Sequence, residues 1–220
     1  MRFFRLKHNF NWKYVIGEIL LIFVGINLAI WFNNWNASKK SDRDKKIVMA
    51  KITEEIRNNM EELSAARKSN QLITQAFSVY QEYFEGNSSE IIASPEELYT
   101  LKTKYPGFFR VRDSVAYKNG LFHYQGGTFI NLEIPELTEI AWETARTINI
   151  ANEFDYECLY DLESMYNLQQ MVKKEVNKAA DALQKREIRN LMSILEFINQ
   201  LDFQLLKKYE EMLKNMQNCS

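Results

Sequence analysis

The longest apolar run of the chain occupies residues 14–32 and reads YVIGEILLIFVGINLAIWF. A helix rises about 1.5 Å per residue, so this segment would extend roughly 28 Å, close to the thickness of the hydrocarbon core of a bilayer. The pattern predicts a single transmembrane helix at 14–32. Aromatic residues of the kind found at membrane interfaces flank both ends of the run: Trp12, Tyr14, Trp31 and Trp35.

A cleaved signal peptide is the main alternative to a retained anchor. Its apolar region would be about 7–15 residues long and would end at a small-x-small cleavage site. Here the run is longer and continues into Trp31-Phe32-Asn33-Asn34-Trp35, which offers no such site. We therefore expect a permanent anchor in contact with membrane lipid.

Positive charges near the two ends of a membrane helix indicate its orientation. Residues 1–13 carry four basic side chains and residues 39–46 carry five, so the counts are nearly balanced. Lys13 adjoins the apolar run, whereas the other side begins with uncharged residues up to Lys39. We expect the basic segment 1–13 to lie in the cytoplasm and the rest of the chain to lie across the membrane.

One face of the predicted membrane helix carries small and polar side chains. Glu18, Ile22, Gly25 and Ala29 share a stripe, and the Gly25/Ala29 spacing lets a second helix approach closely. Intramembrane acids usually face protein or water; alternatively, Glu18 lies one turn inside the boundary and reaches the headgroups. Asn27, on the opposite face, either bonds to another helix or is tolerated there. The stripe predicts contact with another membrane protein or with a second copy of this chain.

Beyond the membrane segment, all five glycines and all three prolines lie between residues 86 and 135. Residues 33–85 and 136–220 contain neither, and such segments with helical periodicity are typical of helices. The stretch 33–41 is a juncture whose three asparagines predict a kink or hinge. Residues 42–220 form the extramembrane domain, with an insert at 86–135.

The segment 42–84 is predicted to form a long helix with one apolar stripe. Apolar residues recur every three or four positions from Ile52 to Phe84, and charged residues such as Glu54 and Glu55 are assigned to the exposed face. The stripe is either the inner face of an intramolecular bundle or a self-association surface, and we favour the bundle.

The insert combines a short helix with a hairpin. Ser94-Pro95-Glu96-Glu97 has an N-cap serine, a proline at the first helical position and a glutamate at the third, so a helix should begin there. It should stop before Tyr105-Pro106-Gly107. After it, β-branched and aromatic residues surround Asn119-Gly120 and Gly126-Gly127, and Asn-Gly between such runs is a strong signal for a β-hairpin.

After Pro135 the periodicity predicts three helices, at about 136–147, 152–181 and 185–216. Together with the long helix at 42–84 they favour an antiparallel bundle. The predicted fold class is therefore mainly α, with one N-terminal transmembrane helix and an extramembrane antiparallel helical bundle that carries a small β-hairpin insert.

Charge and cysteine content narrow the possible partners. The formal net charge is −1, and residues 33–220 carry 24 basic against 28 acidic side chains. Nucleic-acid binding favours a concentrated basic face, so we expect no nucleic-acid partner. Cys158 and Cys219 allow one bridge at most, and two unpaired thiols are the expected state.

Residues that carry catalytic chemistry are scarce. The two histidines are His8, ahead of the membrane segment, and His123, in the predicted hairpin. No metal-binding, nucleophile or phosphate-binding motif occurs in the sequence. Carboxylates distant in sequence could converge as they do in a glycoside hydrolase, but no motif indicates this. We expect no enzymatic activity, no cofactor and no metal.

The insert concentrates the residue types that anchor interfaces, and binding residues often lie on loops of a rigid scaffold. It is therefore the candidate partner surface. Alternatively, the same side chains pack the hairpin onto the helices. The candidate residues are Phe108, Phe109, Arg110, Arg112, Tyr117, Phe122 and Tyr124.

The N-terminal helix also carries a pattern made of Ile16-Gly17-Glu18, Val24-Gly25-Ile26, Leu28-Ala29-Ile30 and Asn33-Asn34-Trp35-Asn36. It resembles the signature "IGE…GI…A…NNWN" of an uncharacterised bacterial family, a domain of unknown function with a single N-terminal transmembrane helix. The segments 141–146, 154–156 and 166–169 resemble that family's helical domain more loosely. Asn27 replaces a usually aliphatic residue, and Trp31-Phe32 replaces a usually more polar pair.

The resemblance implies an anchor, a location in the bacterial envelope and a helical domain, and it implies no particular chemistry. With the expected orientation, this places the chain in the bacterial inner membrane with its domain in the periplasm. Two functions then compete. One is a membrane-anchored interaction or sensing/scaffold module. The other is an accessory subunit of a multi-protein membrane complex, such as a transporter, secretion or ion-driven machine, with Glu18 among the helices of other subunits.

Overall fold

The structure, a computed structural model, describes residues 12–83, 90–216 and 219. Within these residues it contains five α-helices and one three-stranded antiparallel sheet, so the chain is mainly helical. The chain divides into two compact units, Met1–Met49 and Ala50–Ser220. Most of the basic segment 1–13 and the start of the insert at 86–89 lie outside the described residues.

Helix α1, Trp12–Tyr83, contributes to both units. Its helical structure is not broken at the juncture 33–41, where three asparagines predicted a kink or hinge. An asparagine costs a helix less than about 0.7 kcal/mol relative to alanine, so three of them do not interrupt a helix that extends far on both sides.

In the N-terminal unit, α1 contains a stretch long and apolar enough to cross a membrane. Its side chains are exposed: Leu21 has 76% and Phe23 has 65% of full exposure. Each Å² of apolar surface left in water costs about 25 cal/mol. Taken by itself, this unit therefore presents an apolar surface that needs a cover.

In the C-terminal unit, α1 buries its apolar stripe within the chain's own fold. Ile52, Ile56 and Leu63 are fully buried, and Ile73 is nearly so. The prediction that this stripe is an inner face is confirmed for these residues. The assignment of Glu55 to the exposed face is wrong, because its carboxylate accepts hydrogen bonds from the Ala141 N–H and the Tyr166 hydroxyl and is 7% exposed.

Helices α4 (Tyr156–Gln184) and α5 (Ile188–Asn215) pack against each other. In the turn between them, Arg186 adopts φ 60°, and the Glu187 N–H donates to the carbonyl of Ala182 at 2.9 Å. This hydrogen bond is the Schellman pattern of a helix end, formed here without glycine. The main buried residues of the two helices are Leu162, Met165, Val172, Val176, Leu191, Leu195, Ile198 and Leu205.

The sheet has the strand order β1 (Glu90–Ala93), β3 (Phe122–Thr128), β2 (Phe109–Ala116), with both pairings antiparallel. The predicted hairpin is confirmed as β2–β3, with its turn at Asn119 (φ 57°) and Gly120 (φ 78°). Both residues occupy the left-handed region that Asn-Gly favours. The third strand, β1, was not predicted.

Helix α2 (Pro95–Lys104) begins as predicted: Ser94 Oγ accepts from the Glu97 N–H, and the Glu97 carboxylate accepts from the Ser94 N–H. Residues 129–139, here called the connector, form neither helix nor strand. Helix α3 (Ile140–Thr147) therefore begins one turn later than predicted. The earlier start at 136 is wrong because asparagine side chains of α1 bind the connector's backbone.

Cys158 and Cys219 form a disulfide bond. The expectation of two unpaired thiols is wrong, because the first turn of α4 and the segment after α5 come together and place the two Cα atoms 5.3 Å apart. Both cysteines are buried.

Candidate binding site

A groove of about 320 Å³ opens in the C-terminal unit between α1, the turn after α2 and the start of the connector. This volume lies at the lower end of the range of small-molecule sites. Helix α1 contributes one wall, and the connector contributes Phe129 and Asn131. The lining residues are Ser69, Leu72, Ile73, Ala76, Tyr105, Pro106, Gly107, Phe108, Arg110, Phe129 and Asn131.

The groove is apolar at its base and more exposed at its rim. Ile73 (6% exposed), Ala76 (1%) and Phe108 (6%) belong to the core, whereas Leu72 and Phe129 retain 45% and 44% of their exposure. An apolar side chain left at the rim of a concave surface is a feature of binding sites.

Arg110 is the charged residue of this groove. Its guanidinium carbon lies 3.6 Å from the centroid of the Phe129 ring, the geometry of a cation–π contact. Among the described residues the guanidinium forms no ion pair. This contact holds the guanidinium against the Phe129 ring, and its five N–H donors can bind a ligand.

The position of Arg110 depends on a close approach of the two hairpin strands. Between Val111 and Asp113 the register of β2 against β3 shifts at a bulge. There, a Cβ on Gly126 would overlap the Arg110 carbonyl oxygen and lie 3.0 Å from the Val111 Cα. Only glycine fits opposite the bulge, so Gly126 lets β3 hold the Arg110 backbone in place.

The connector, which forms the far wall, is bound to α1 at two points. Asn70 Nδ2 donates to the Glu133 carbonyl at 2.8 Å, and Asn70 Oδ1 accepts from the Glu133 N–H at 2.9 Å. Asn59 makes the same pair of bonds with Thr138, at 2.7 and 2.9 Å. Each amide thus forms the two hydrogen bonds that a neighbouring strand would otherwise form with the N–H and the carbonyl of that connector residue.

The spacing of the two asparagines matches the spacing of their targets. Eleven residues of helix rise about 16.5 Å, and five extended residues span about the same distance. Asn59 binds Thr138, and Asn70, which comes later in α1, binds Glu133, which comes earlier in the connector. The two segments therefore run in opposite directions. Both asparagines lie within the apolar stripe, which was the one sequence signal that could have revealed them.

A buried carboxylate, Glu55, lies beside the contact between Asn59 and Thr138. It accepts hydrogen bonds from the Tyr166 hydroxyl at 2.7 Å, from the Ala141 N–H at 2.9 Å and from the Thr138 hydroxyl at 3.3 Å. The Ala141 N–H is in the first turn of α3, so a carboxylate from α1 caps that helix. These bonds explain why an acid is tolerated inside the fold.

The network continues to α4 and α5 through Gln169, which is fully buried. Its Oε1 accepts from the Tyr209 hydroxyl at 2.7 Å and from Asn59 Nδ2 at 3.1 Å, and its Nε2 donates to the Thr138 carbonyl at 2.9 Å. Burial raises the pKa of both Tyr166 and Tyr209 far above the usual tyrosine range, and the Glu55 carboxylate adds to this effect. Both hydroxyls therefore remain protonated donors.

A second buried acid, Asp202 on α5, lies beside a cavity of about 40 Å³ that Arg67 and Glu196 also line. Burial raises the Asp202 pKa from 3.8 to about 7, and the positive charge of Arg67 opposes this shift in part. Asp202 Oδ1 and Arg67 Nε are both buried without a hydrogen-bond partner. This pair is consequently a point of weakness between α1 and α5 rather than a stabilising ion pair.

The residues predicted as a partner surface do not form one patch. Phe109 and Tyr124 are buried at 3% and 7% exposure, so their assignment to a surface is wrong, whereas Phe108, at 6% exposure, lies at the base of the groove. Phe109 contacts Tyr80 of α1 and the Phe108 ring, and Tyr124 contacts Phe122. Of the eleven groove residues the prediction named only Phe108 and Arg110 and missed nine, of which Phe129 was the most visible in the sequence. The other eight are Ser69, Leu72, Ile73, Ala76, Tyr105, Pro106, Gly107 and Asn131.

The remaining predicted residues separate into different surroundings. Arg110 lines the groove and Arg112 is exposed at the bulge. Tyr117 is 44% exposed and packs edge-on against the His123 ring at 4.3 Å, while half-buried Phe122 stacks on Tyr124. His123 Nδ1 lies 3.0 Å from the Glu90 carboxylate, which joins β1 to β3.

The predicted membrane-contact residues Glu18, Ile22, Gly25, Asn27 and Ala29 are all exposed within the N-terminal unit. The Asn27 Nδ2 donates to the Phe23 carbonyl at 2.7 Å, so this amide forms a hydrogen bond within its own helix. A Cβ added to Gly25 would meet no atom within 4 Å. The face is therefore open to a neighbouring helix.

Across the described residues, no three side chains of His, Cys, Asp or Glu come together in a way that could hold a metal ion. Comparison with known protein families, with curated proteins and with solved structures found no match.

Proposed function

We propose that this protein is a membrane-anchored interaction or sensing module whose extramembrane domain, an antiparallel helical bundle, binds its ligand in the groove beside Arg110. One observation carries the proposal: an apolar groove whose single charged side chain has no ion-pair partner among the described residues. Such a site suits recognition of a ligand.

The location we propose is the bacterial inner membrane, with the basic segment 1–13 in the cytoplasm and the domain in the periplasm. The exposed apolar stretch of α1 supports the anchor. The Cys158–Cys219 disulfide supports the side, because structural disulfides persist in oxidising compartments and are rare in the cytosol. The proposed family membership, from the pattern in the membrane helix, agrees with both.

Site-specific photocrosslinking tests the binding function. A benzophenone amino acid replaces Leu72 at the groove rim, and in a matched control it replaces Phe197, which is equally exposed on α5. Irradiated cells should yield an adduct at position 72 and not at position 197. Mass spectrometry of the intact chain detects both polypeptide and small-molecule adducts. No adduct at 72, or the same adducts at both positions, would contradict the proposal.

Two measurements test the location. The full chain should remain in the membrane after alkaline carbonate extraction, and its cysteines should resist a thiol reagent in intact cells until a reductant is added. Release of the chain by carbonate would contradict the proposed membrane anchor. Free thiols in freshly lysed cells would place the domain on the cytoplasmic side.

A second candidate is an accessory subunit of a multi-protein membrane complex. The observation that favours it is the open face with Glu18, Ile22, Gly25 and Ala29 on an exposed helix. Replacing Glu18 with Gln should then disrupt complex assembly or ion coupling. Under the first proposal the same change leaves membrane insertion and groove binding intact.

A further inference from the structure

We propose that the groove selects a ligand with an apolar body and one carboxylate, and that Arg110 recognises the carboxylate. This inference rests on the proposed function, since it names the ligand class of the same site. It follows from the charge, the shape and the size of the groove.

The charge of the groove is one-sided. Of its eleven lining residues Arg110 alone is charged, and none is acidic. The chain as a whole has 29 acidic and 28 basic residues, so a cationic groove is not a consequence of composition. Arg110 is exposed, so its selectivity for an anion comes from the hydrogen bonds that its guanidinium donates and from the absence of an acid among the lining residues.

The chemistry of Arg110 favours a carboxylate. The guanidinium carbon lies 3.6 Å from the centroid of the Phe129 ring, and this contact restricts the movement of the side chain. A planar guanidinium with fixed orientation binds a carboxylate through two hydrogen bonds. The Ser69 hydroxyl and the Asn131 amide, which also line the groove, are donors for further bonds to the ligand.

The apolar part of the groove sets the rest of the ligand. Ile73, Ala76 and Phe108 form a base without polar side chains, and Leu72 borders it. The volume of about 320 Å³ accommodates a small molecule or one side chain of a peptide with its terminal carboxylate. A folded protein partner would need roughly 800 Å² of its own surface, far more than this groove offers.

The test compares two probes that differ only in charge. The full chain in lipid nanodiscs is titrated with 2-naphthylacetate and with 2-naphthylacetamide, and binding is followed by ligand-observed NMR against empty nanodiscs. We expect the carboxylate to bind at least tenfold more tightly than the amide. The Arg110→Gln variant should reduce this ratio below about twofold, and Arg110→Lys should give an intermediate ratio.

Arg112→Gln is the matched control, because it removes the same charge from the same strand outside the groove. It should keep the tenfold ratio. Ser69→Trp, which occupies the groove from its exposed rim, should abolish binding of both probes. Circular dichroism checks that every variant is folded, and Arg110→Lys carries the test if Arg110→Gln is not.

The outcomes separate this inference from the proposed function. Equal binding of both probes, blocked by Ser69→Trp, contradicts the carboxylate and leaves the groove as a binding site. If Arg112→Gln lowers the carboxylate-to-amide ratio as much as Arg110→Gln does, the preference is due to the overall positive charge. This outcome also overturns the inference. If neither probe binds, the inference fails. The adduct at position 72 then decides separately whether the groove binds another class of ligand.

Discussion

The Asn59 side chain forms two hydrogen bonds with the backbone of Thr138, as a neighbouring strand would: Nδ2 donates to the Thr138 carbonyl at 2.7 Å, and Oδ1 accepts from the Thr138 N–H at 2.9 Å. A third bond, from Nδ2 to Gln169 Oε1 at 3.1 Å, adds α4 to the contact. Because Asn59 is 1% exposed, its amide does not have bulk water as an alternative partner. One amide therefore joins α1, the connector and α4.

The first prediction concerns this amide. Asn59→Asp replaces the donor with an acceptor and places a charge beside the Thr138 carbonyl, so we expect the free energy of unfolding to fall by about 3 kcal/mol or more. Asn58→Asp, one residue earlier and exposed, should cost less than about 0.5 kcal/mol. Urea unfolding of the full chain in nanodiscs, followed by circular dichroism, measures both. Equal effects of the two changes would show that the hydrogen bonds of the Asn59 amide are not important for stability.

The second prediction concerns the close approach of β2 and β3. Gly126→Ala should force the strands apart at the bulge, lower the free energy of unfolding by about 1–3 kcal/mol and weaken carboxylate binding through displacement of Arg110. Gly127→Ala is the control, because a Cβ there meets nothing within 4 Å. It should be neutral or slightly stabilising. Similar losses in both variants would contradict the proposed role of Gly126.

The third prediction is a pH dependence due to Asp202. Its folded-state pKa of about 7 lies above the ordinary value of 3.8, so the folded state holds the proton more tightly than the unfolded state. The resulting stability is complete below about pH 4 and is lost as the pH rises through 7, by up to about 4 kcal/mol. Asp202→Asn should remove this loss and be more stable than the natural chain at pH 8.

Denaturant titrations at pH 5 and pH 8 measure this effect. Asp181→Asn, an exposed change on α4, is the control and should leave the natural pH dependence unchanged. A natural chain that is equally stable at both pH values would contradict the prediction. The same holds if Asp202→Asn shows the natural pH dependence.

The fourth prediction concerns the disulfide. Cys158 and Cys219 are 61 residues apart, and closing a loop of that length in the unfolded chain is worth about 4 kcal/mol in the chain-entropy model. We expect reductant to lower the free energy of unfolding by about 2–4 kcal/mol. The Cys158→Ser/Cys219→Ser variant should start at that lower value and show no response to reductant. A natural chain that does not respond would indicate that the bond contributes nothing.

The elements that could be predicted are those whose cause lies within a few residues. The capping box at Ser94–Glu97 satisfies the first N–H groups of α2 from inside the same turn, and Asn119-Gly120 adopts the left-handed conformations of its hairpin by itself. The apolar run at 14–32 likewise requires no partner to be recognised. Neighbouring residues along the chain determine each of these features.

The features that could not be predicted depend on partners far away in sequence. Glu55 and Glu54 are adjacent acids on one helix, yet only Glu55 meets Tyr166, 111 residues later, and is buried. Phe109 and Arg110 are likewise adjacent in the candidate surface, and strand alternation together with the bulge sends one into the core and the other to the groove.

The sequence by itself determined the apolar segment at 14–32, the helical character of the chain and the hairpin, because hydrophobic periodicity and turn chemistry are local. The tertiary structure alone decided the third strand, the later start of α3, the disulfide and the location of the groove. Each of these depends on which distant backbone or side chain satisfies a buried polar group or covers an apolar one. That choice is made only when α1, the connector and α4 come together.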